Sequence, residues 1–283
     1  VTYSIRPGVG DAAAFAIDPQ TGVVLSSLVP DYEVKKSYQF TVVARDATGN
    51  ESERLVTVPV VNVNEAPGGA DKTITTLEDQ TYLFAAGDFG FSDVDVGDTL
   101  GAVRVDTLPI SAKGALKLDG VPVVTGQVID TKNLAGLKFE PAPNINGLAV
   151  TSFTFSVRDS ELFDSVPNSI IFNVSPVNDA PTLDPLVNQD LRGDGGTRWV
   201  YLTGISGGAP NEPPPLTVTA VSSLPGVIPH PVVQYNPGAT EGWLALTPAA
   251  GATGTVAITV PGDDGAASNR LASRSFKIGR AHV

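Results

Sequence analysis

The sequence predicts an all-β chain arranged as tandem β-sandwich modules, and three observations carry that reading. Apolar and polar residues alternate in short runs, as in Tyr38-Gln39-Phe40-Thr41-Val42-Val43-Ala44, Ser152-Phe153-Thr154-Phe155-Ser156-Val157 and Thr255-Val256-Ala257-Ile258-Thr259-Val260. Such period-two runs are the pattern of half-buried strands. The 23 Pro and 29 Gly residues fall between them and leave hardly any window for a helix of ordinary length. Finally, a chain of 283 residues is too long for one sandwich of about 100 residues and suits two or three.

A repeat sets the module boundaries. Val61-Asn62-Val63-Asn64-Glu65-Ala66-Pro67 returns as Ser175-Pro176-Val177-Asn178-Asp179-Ala180-Pro181, with Pro67 and Pro181 114 residues apart. Each copy follows a terminal strand, Leu55–Val58 in one case and Ile170–Val174 in the other. Ahead of those strands stand Ala44-Arg45-Asp46 and Val157-Arg158-Asp159. A third module, from about Thr182, closes differently, with Val260-Pro261-Gly262-Asp263-Asp264-Gly265 before a strand at Ser275-Phe276-Lys277. The expected division is therefore 1–66, 67–181 and 182–277. Residues 278–283, Ile-Gly-Arg-Ala-His-Val, are what ATCGGAAGAGCACACGTC encodes, which resembles a common sequencing adapter; they are expected to be a non-native tail and to stand outside the fold. Val1 already reads as strand, so module one is expected to lack about 35 to 40 residues of a complete sandwich.

Composition excludes several functions. With 18 Lys and Arg against 30 Asp and Glu the formal net charge is -12, which disfavours nucleic acid and makes divalent cations the natural counter-charge. The absence of Cys rules out disulfides and thiolate metal sites. No apolar run approaches the ~18 residues of a membrane helix. Gly204-Ile205-Ser206-Gly207-Gly208 fits the G-x-S-x-G pattern of a hydrolase elbow, but Pro210 and Pro213-Pro214-Pro215 deny it the helix that must follow, so it reads as a turn. Gly8-Val9-Gly10-Asp11-Ala12-Ala13 mimics a dinucleotide fingerprint yet continues into the strand Phe15-Ala16-Ile17, which marks a hairpin loop. No acid, base and nucleophile constellation is present, and an enzyme is not expected. Trp199 and Trp243 are expected in the third core, exposed stacking for a sugar being the alternative.

The first module resembles a cadherin repeat. The matching residues are Phe15-Ala16-Ile17-Asp18-Pro19-Gln20-Thr21-Gly22-Val23-Val24, the triplet Asp31-Tyr32-Glu33, Ala44-Arg45-Asp46 and the linker Asn62-Val63-Asn64-Glu65-Ala66-Pro67. They stand where the family has a hairpin with a Thr-Gly turn, an acidic triplet, an Ala-x-Asp motif and an Asp-x-Asn-Asp-Asn-x-Pro linker. The linker departs from that pattern at Asn62, Glu65 and Ala66, which removes carboxylates. The second module is similar to the cadherin-like repeats of large bacterial surface and secreted adhesins. It does so through Leu77-Glu78-Asp79-Gln80-Thr81, the run Asp88–Asp95, Leu137-Lys138-Phe139-Glu140-Pro141 and Val177-Asn178-Asp179-Ala180-Pro181. The third looks only loosely like an immunoglobulin-like repeat.

The resemblance implies calcium at the first junction, drawn from Asp31, Glu33, Asn62, Asn64 and Glu65 on one side and Asp93, Asp95 and Asp159 on the other. Calcium takes six to eight oxygens at about 2.3 to 2.6 Å in irregular geometry, which a short linker between acidic loops can supply. Asp159 reads equally well as a ligand or as the side chain that opens a turn. Asp93-Val94-Asp95-Val96-Gly97-Asp98 is no EF-hand, since the sixth position lacks Gly and the twelfth is Arg104. A second site would involve Glu78, Asn178 and Asp179, with no convincing acidic partner in module three. The function implied is a calcium-binding structural or adhesive stalk segment of a bacterial cell-surface or secreted protein. Its partners would be calcium, the neighbouring modules, and other cell-surface proteins or glycans. It would be extracellular, held to the cell by parts of the protein outside this chain. The alternative is an accessory carbohydrate-binding or spacer region of a secreted enzyme.

Overall fold

The computed structural model describes residues 1–192, 196–210, 212 and 216–281, with backbone alone for 192, 280 and 281. Its strands fall into three consecutive groups. In the first, β1 (Thr2–Ile5), β2 (Phe15–Ile17), β3 (Val24–Ser26), β4 (Ser37–Arg45) and β5 (Glu51–Pro59) make a sheet of order β1-β4-β5 beside the hairpin β2-β3. The alternation in β4 buries Tyr38 and Phe40 on one face, and Val43 is buried further along the strand. Phe15 of the hairpin packs on that face, 4.4 Å from the Phe40 ring and 5.8 Å from Tyr38. β5, an edge strand, leaves Leu55 61% exposed.

The second group holds β6 (Lys72–Leu77), β7 (Tyr82–Leu83), β8 (Ala102–Val105), β9 (Gly114–Leu118), β10 (Val121–Pro122), β11 (Val128–Asp130), β12 (Leu137–Pro141), β13 (Gly147–Arg158) and β14 (Asn168–Ser175). They form two sheets, β10-β9-β12-β7 and β11-β8-β13-β14-β6. Inward positions of the two sheets meet in an aromatic core. Phe139 of β12 and Phe172 of β14 stack across it with centroids 3.7 Å apart, and Phe84, Phe89, Phe153 and Phe155 surround them. Burying an aromatic ring of this size contributes roughly 1.5–3 kcal/mol, so this unit carries a full core of its own.

The third group comprises β15 (Gln189–Arg192), β16 (Arg198–Leu202), β17 (Thr217–Val218), β18 (Val221–Ser222), β19 (Val232–Gln234), β20 (Gly242–Leu246), β21 (Gly254–Asp263) and β22 (Leu271–Ala281). One sheet runs β15-β22-β21-β17 with β18 also on β21, and the other runs β16-β20-β19. A separate core of Leu202, Leu244, Leu246, Val256, Ile258 and Phe276 lies between them. In both the second and third groups the opening strand pairs parallel with the closing one, β6 with β14 and β15 with β22.

Two expectations are corrected here. Residues 278–281, set outside the fold on the sequence, continue β22 in register with β15, and 278–280 also with β21, and Ile278 is fully buried in the third core. His282 lies outside the described residues. Trp199 and Trp243, expected inside, are 49% and 43% exposed. The reason is register: in β16 and β20 the inward positions belong to Val200, Leu202, Leu244 and Leu246, so Trp199, Tyr201 and Trp243 fall on the outer face. Among the described residues no helix is long and apolar enough to cross a membrane.

Candidate metal centre at the junctions

The segment after β5 and the loops of the second group bring most of the predicted acidic residues together. Carboxylate oxygens of Glu33, Glu65 and Asp95 lie within 4.8 Å of one another, and so do those of Asp93, Asp95 and Asp98. Asp95 thus belongs to both clusters. It is 7% exposed and held in place by three contacts. Its Oδ1 accepts from the Asn62 side chain at 2.9 Å, its Oδ2 accepts from the Glu65 backbone N–H at 2.9 Å, and its own N–H donates to Asp93 Oδ1 at 3.0 Å. The other oxygen of Asp93, Oδ2, is buried without a hydrogen-bond partner among the described residues. A carboxylate that keeps one buried oxygen unpartnered and clusters with two further carboxylates suits a hard cation that takes oxygen ligands.

The electrostatics agree. Burial, followed by the charges of Glu33, Asp95 and Asp31, pushes the Glu65 carboxyl up from its ordinary value. Burial and then Asp93, Asp95, Asp159 and Glu161 do the same to Asp98. Asp95 is held low by the Glu65 N–H and the Asn62 amide. Close like charges disfavour ionisation, and a divalent ion between them reverses that balance.

The remaining predicted residues take supporting positions. Asp31 lines an open groove of about 560 Å³ with Glu33, Glu65 and Val94, while its Oδ1 accepts from the N–H groups of Glu33 and Val34 in an Asx-type turn. Asn62 and Asn64 present amide N–H groups to carboxylates, Asn64 Nδ2 lying 3.0 Å from Asp159 Oδ2. Asp159 is fully buried, and its Oδ1 accepts from Leu162 N–H at 2.7 Å and from Glu161 N–H. Burial works against its charge, but those bonds and the one from Asn64 hold its carboxyl below the usual range. It therefore both opens a turn and receives the linker. Asp98, which the sequence reading passed over with the EF-hand comparison, joins the cluster through the same acidic loop.

The second junction repeats this arrangement around the expected Glu78, Asn178 and Asp179, with two partners that sequence reasoning missed. Asn178, 114 positions after Asn64, donates to Asp264 Oδ2 and to the carbonyl of Asp179, each at 3.1 Å, as Asn64 does to Asp159 and to the carbonyl of Glu65. Asp179 N–H donates to Glu212 Oε1 at 2.7 Å, the counterpart of the bond from Glu65 N–H to Asp95. Module three does supply acidic partners, Glu212 and Asp264. Asp179 Oδ2 is buried without a hydrogen-bond partner among the described residues, and burial with the charges of Asp79, Glu212 and Glu78 raises its carboxyl. Glu78, 1% exposed, accepts from Val177 N–H at 2.7 Å and from Asn146. The signal for Asp264 was its place directly after β21, which matches Asp46 after β4 and Asp159 after β13. Nothing in the proline-rich surroundings of Glu212 pointed to it.

The residues of the hydrolase-like motif are committed to local structure. Ser206 pairs with Thr182 in an isolated bridge and its hydroxyl bonds to the Gly208 backbone, while His230 Nδ1 accepts from Ser222 N–H at 3.0 Å.

No family model matches the sequence. A stretch of 114 residues, 40% of this chain, is 27% identical to human protocadherin Fat 4, of whose length it spans 2%. Among solved structures, mouse protocadherin-24 EC1-3 superposes with a TM-score of 0.55 at 12% identity, over 100% of this chain and 90% of that one. Protocadherin gamma B2 extracellular cadherin domains 1–5 give 0.52 at 15% identity, over 99% of this chain and 52% of theirs. At such identities the likeness is one of fold. The class it defines is plain: an all-β chain of tandem cadherin-like β-sandwich modules.

Proposed function

We propose that this chain is a calcium-binding stalk segment of a bacterial cell-surface or secreted protein, in which calcium at the junctions stiffens successive modules. The observation that carries the reading is the convergence of Glu33 from the first group, Glu65 from the linker and Asp95 from the second group within 4.8 Å. Asp93, with its unpartnered buried oxygen, and Asp98 complete the acidic lining. These residues would hold the ion, and what the ion supplies is charge neutralisation together with a cross-link between modules. The chain's own part is orientation: Asn62 and the Glu65 N–H fix Asp95, and Asn64 ties the linker to Asp159. The division into modules at 1–66, 67–181 and from 182 onward belongs to this proposal, as does an extracellular role without catalysis. The bacterial setting rests on the likeness of the second module to adhesin repeats. The second junction would act in the same way through Glu78, Asp179, Glu212 and Asp264.

Calcium at a hundred times its dissociation constant would stabilise the junction by about 2.7 kcal/mol. Melting and small-angle scattering of the chain, with calcium and with chelator, test this. The expected result is a higher Tm and a more extended particle with calcium, both effects being lost in the Glu33→Ala, Asp93→Ala double variant. Identical melting and scattering in the two conditions would overturn the proposal.

A further inference from the structure

The outer face of the sheet β16-β20-β19 carries aromatic rings that the junction chemistry does not use. Trp199 and Tyr201 of β16 and Trp243 of β20 all point away from the core, and each is more than two-fifths exposed. Tyr201 and Trp243 are direct cross-strand partners, with ring centroids 4.4 Å apart and planes tilted by 36°. On the other side of β20, the partner of Trp243 is Gln234 of β19. Trp243 therefore has Tyr201 against one side and an open groove of about 610 Å³ on the other, lined by Gln234, Tyr235, Asn236 and Glu241. Beyond Trp199 the Thr197 and Thr247 hydroxyls bond to each other at 2.9 Å.

We propose that this face binds a neutral polysaccharide, with Trp243 stacking on a pyranose ring and Gln234, Asn236 and Glu241 hydrogen-bonding its hydroxyls. A pyranose with equatorial hydroxyls has two C–H faces and a hydroxyl rim, so it needs an apolar ring beneath and amide or carboxylate groups at the side. This groove offers that combination. Charge selects against acidic glycans and phosphates, since among the described residues Glu241 is the single charged one lining the groove and carries the wrong sign. Area selects against a protein. Three strands of at most five residues, at about 3.4 Å per residue and ~4.8 Å between strands, give a face of about 240 Å². A stable protein interface needs about 800 Å² from each partner.

The site is separate from the acidic junctions, so the experiment uses the full chain in calcium and again in chelator, with cellohexaose as the probe and a hyaluronate oligosaccharide of equal length as the anionic control. Titration calorimetry and tryptophan fluorescence should report binding of cellohexaose in both conditions, weakened about tenfold or more by Trp243→Ala. Gln234→Ala, in which the stacking ring is intact, should weaken it less. Circular dichroism and Tm confirm that the variants fold. The proposal falls if the wild type binds no cellohexaose at millimolar concentration, if Trp243→Ala binds as well as wild type, or if hyaluronate binds equally tightly.

Discussion

Asn178 donates to Asp264 at 3.1 Å across the second junction, repeating at the same linker position the bond from Asn64 to Asp159 across the first. In each case the acceptor directly follows the penultimate strand of the next group, and its other oxygen accepts from the backbone of the turn it opens, from Glu161 and Leu162 N–H for Asp159 and from Ala266 N–H for Asp264. The linker is thereby fastened to a side chain that the turn already holds rigid.

Replacing Asn64 by Ala should loosen that fastening without touching either core. Asp159 is fully buried, so removing a donor from its carboxylate should cost about 1–3 kcal/mol in the second unit. Urea denaturation should show a lower midpoint with an unchanged m-value. Unchanged stability would mean that solvent replaces the amide and that the bond does not hold the linker.

The fate of residue 278 is decided by packing, whatever the origin of the codons. Ile278 is fully buried among Leu191, Val256 and Phe276. Ile278→Ala should destabilise the third unit by about 2–5 kcal/mol, the range for a large-to-small change in a closed core. Deleting 278–283 should do at least as much, because β22 would lose all of its pairing with β15 and the Gly254–Val256 end of its pairing with β21. Calorimetry of the full chain, following the transition of the third unit, measures both.

The fold was readable because alternation and turn residues are local signals, and β4, β13 and β21 extend the runs that the sequence showed. The first junction was readable through its repeated linker, which places Asn64 and Glu65 beside Asp95 and Asp159. Glu212 was not, since its role depends on a non-local approach to Asp179 that no spacing encodes. The outward Trp residues were missed for a related reason. Composition says that a sandwich buries tryptophan, whereas the parity of β16 hands its inward places to Val200 and Leu202.

Gly208 tests whether the second junction tolerates repacking. Its φ of +133° lies where side chains are rarely found, and an added Cβ would meet the Asp179 carbonyl at 2.6 Å as well as the Glu212 carboxylate. Gly208→Ala should therefore cost about 1–3 kcal/mol and displace Glu212 from the Asp179 N–H. Amide exchange at residue 179 should accelerate relative to wild type. Wild-type protection there would show that the loop shifts without disturbing the junction.

Asp46 gives the chain a pH dependence that owes nothing to the junction carboxylates. Its Oδ1 accepts from the Thr48 hydroxyl and from the N–H groups of Thr48 and Asn50, and its Oδ2 accepts from the Asn50 amide, all within 2.9 Å. These bonds, the Asn50 and Thr48 side chains first, lower its carboxyl from 3.8 to about 2. A carboxyl whose folded value lies below its unfolded one releases its proton on folding, so its contribution is complete above the unfolded value. That contribution should be lost as pH falls from 3.8 through about 2. Asp46→Asn should flatten this part of the acid limb in the first unit while lowering stability at neutral pH. The carboxyl carbon of Asp46, followed by NMR, should titrate with a midpoint well below that of a free aspartate. A midpoint at the ordinary value would show that the turn bonds do not persist in solution, and the acid sensitivity of the first unit would then have to come from other groups.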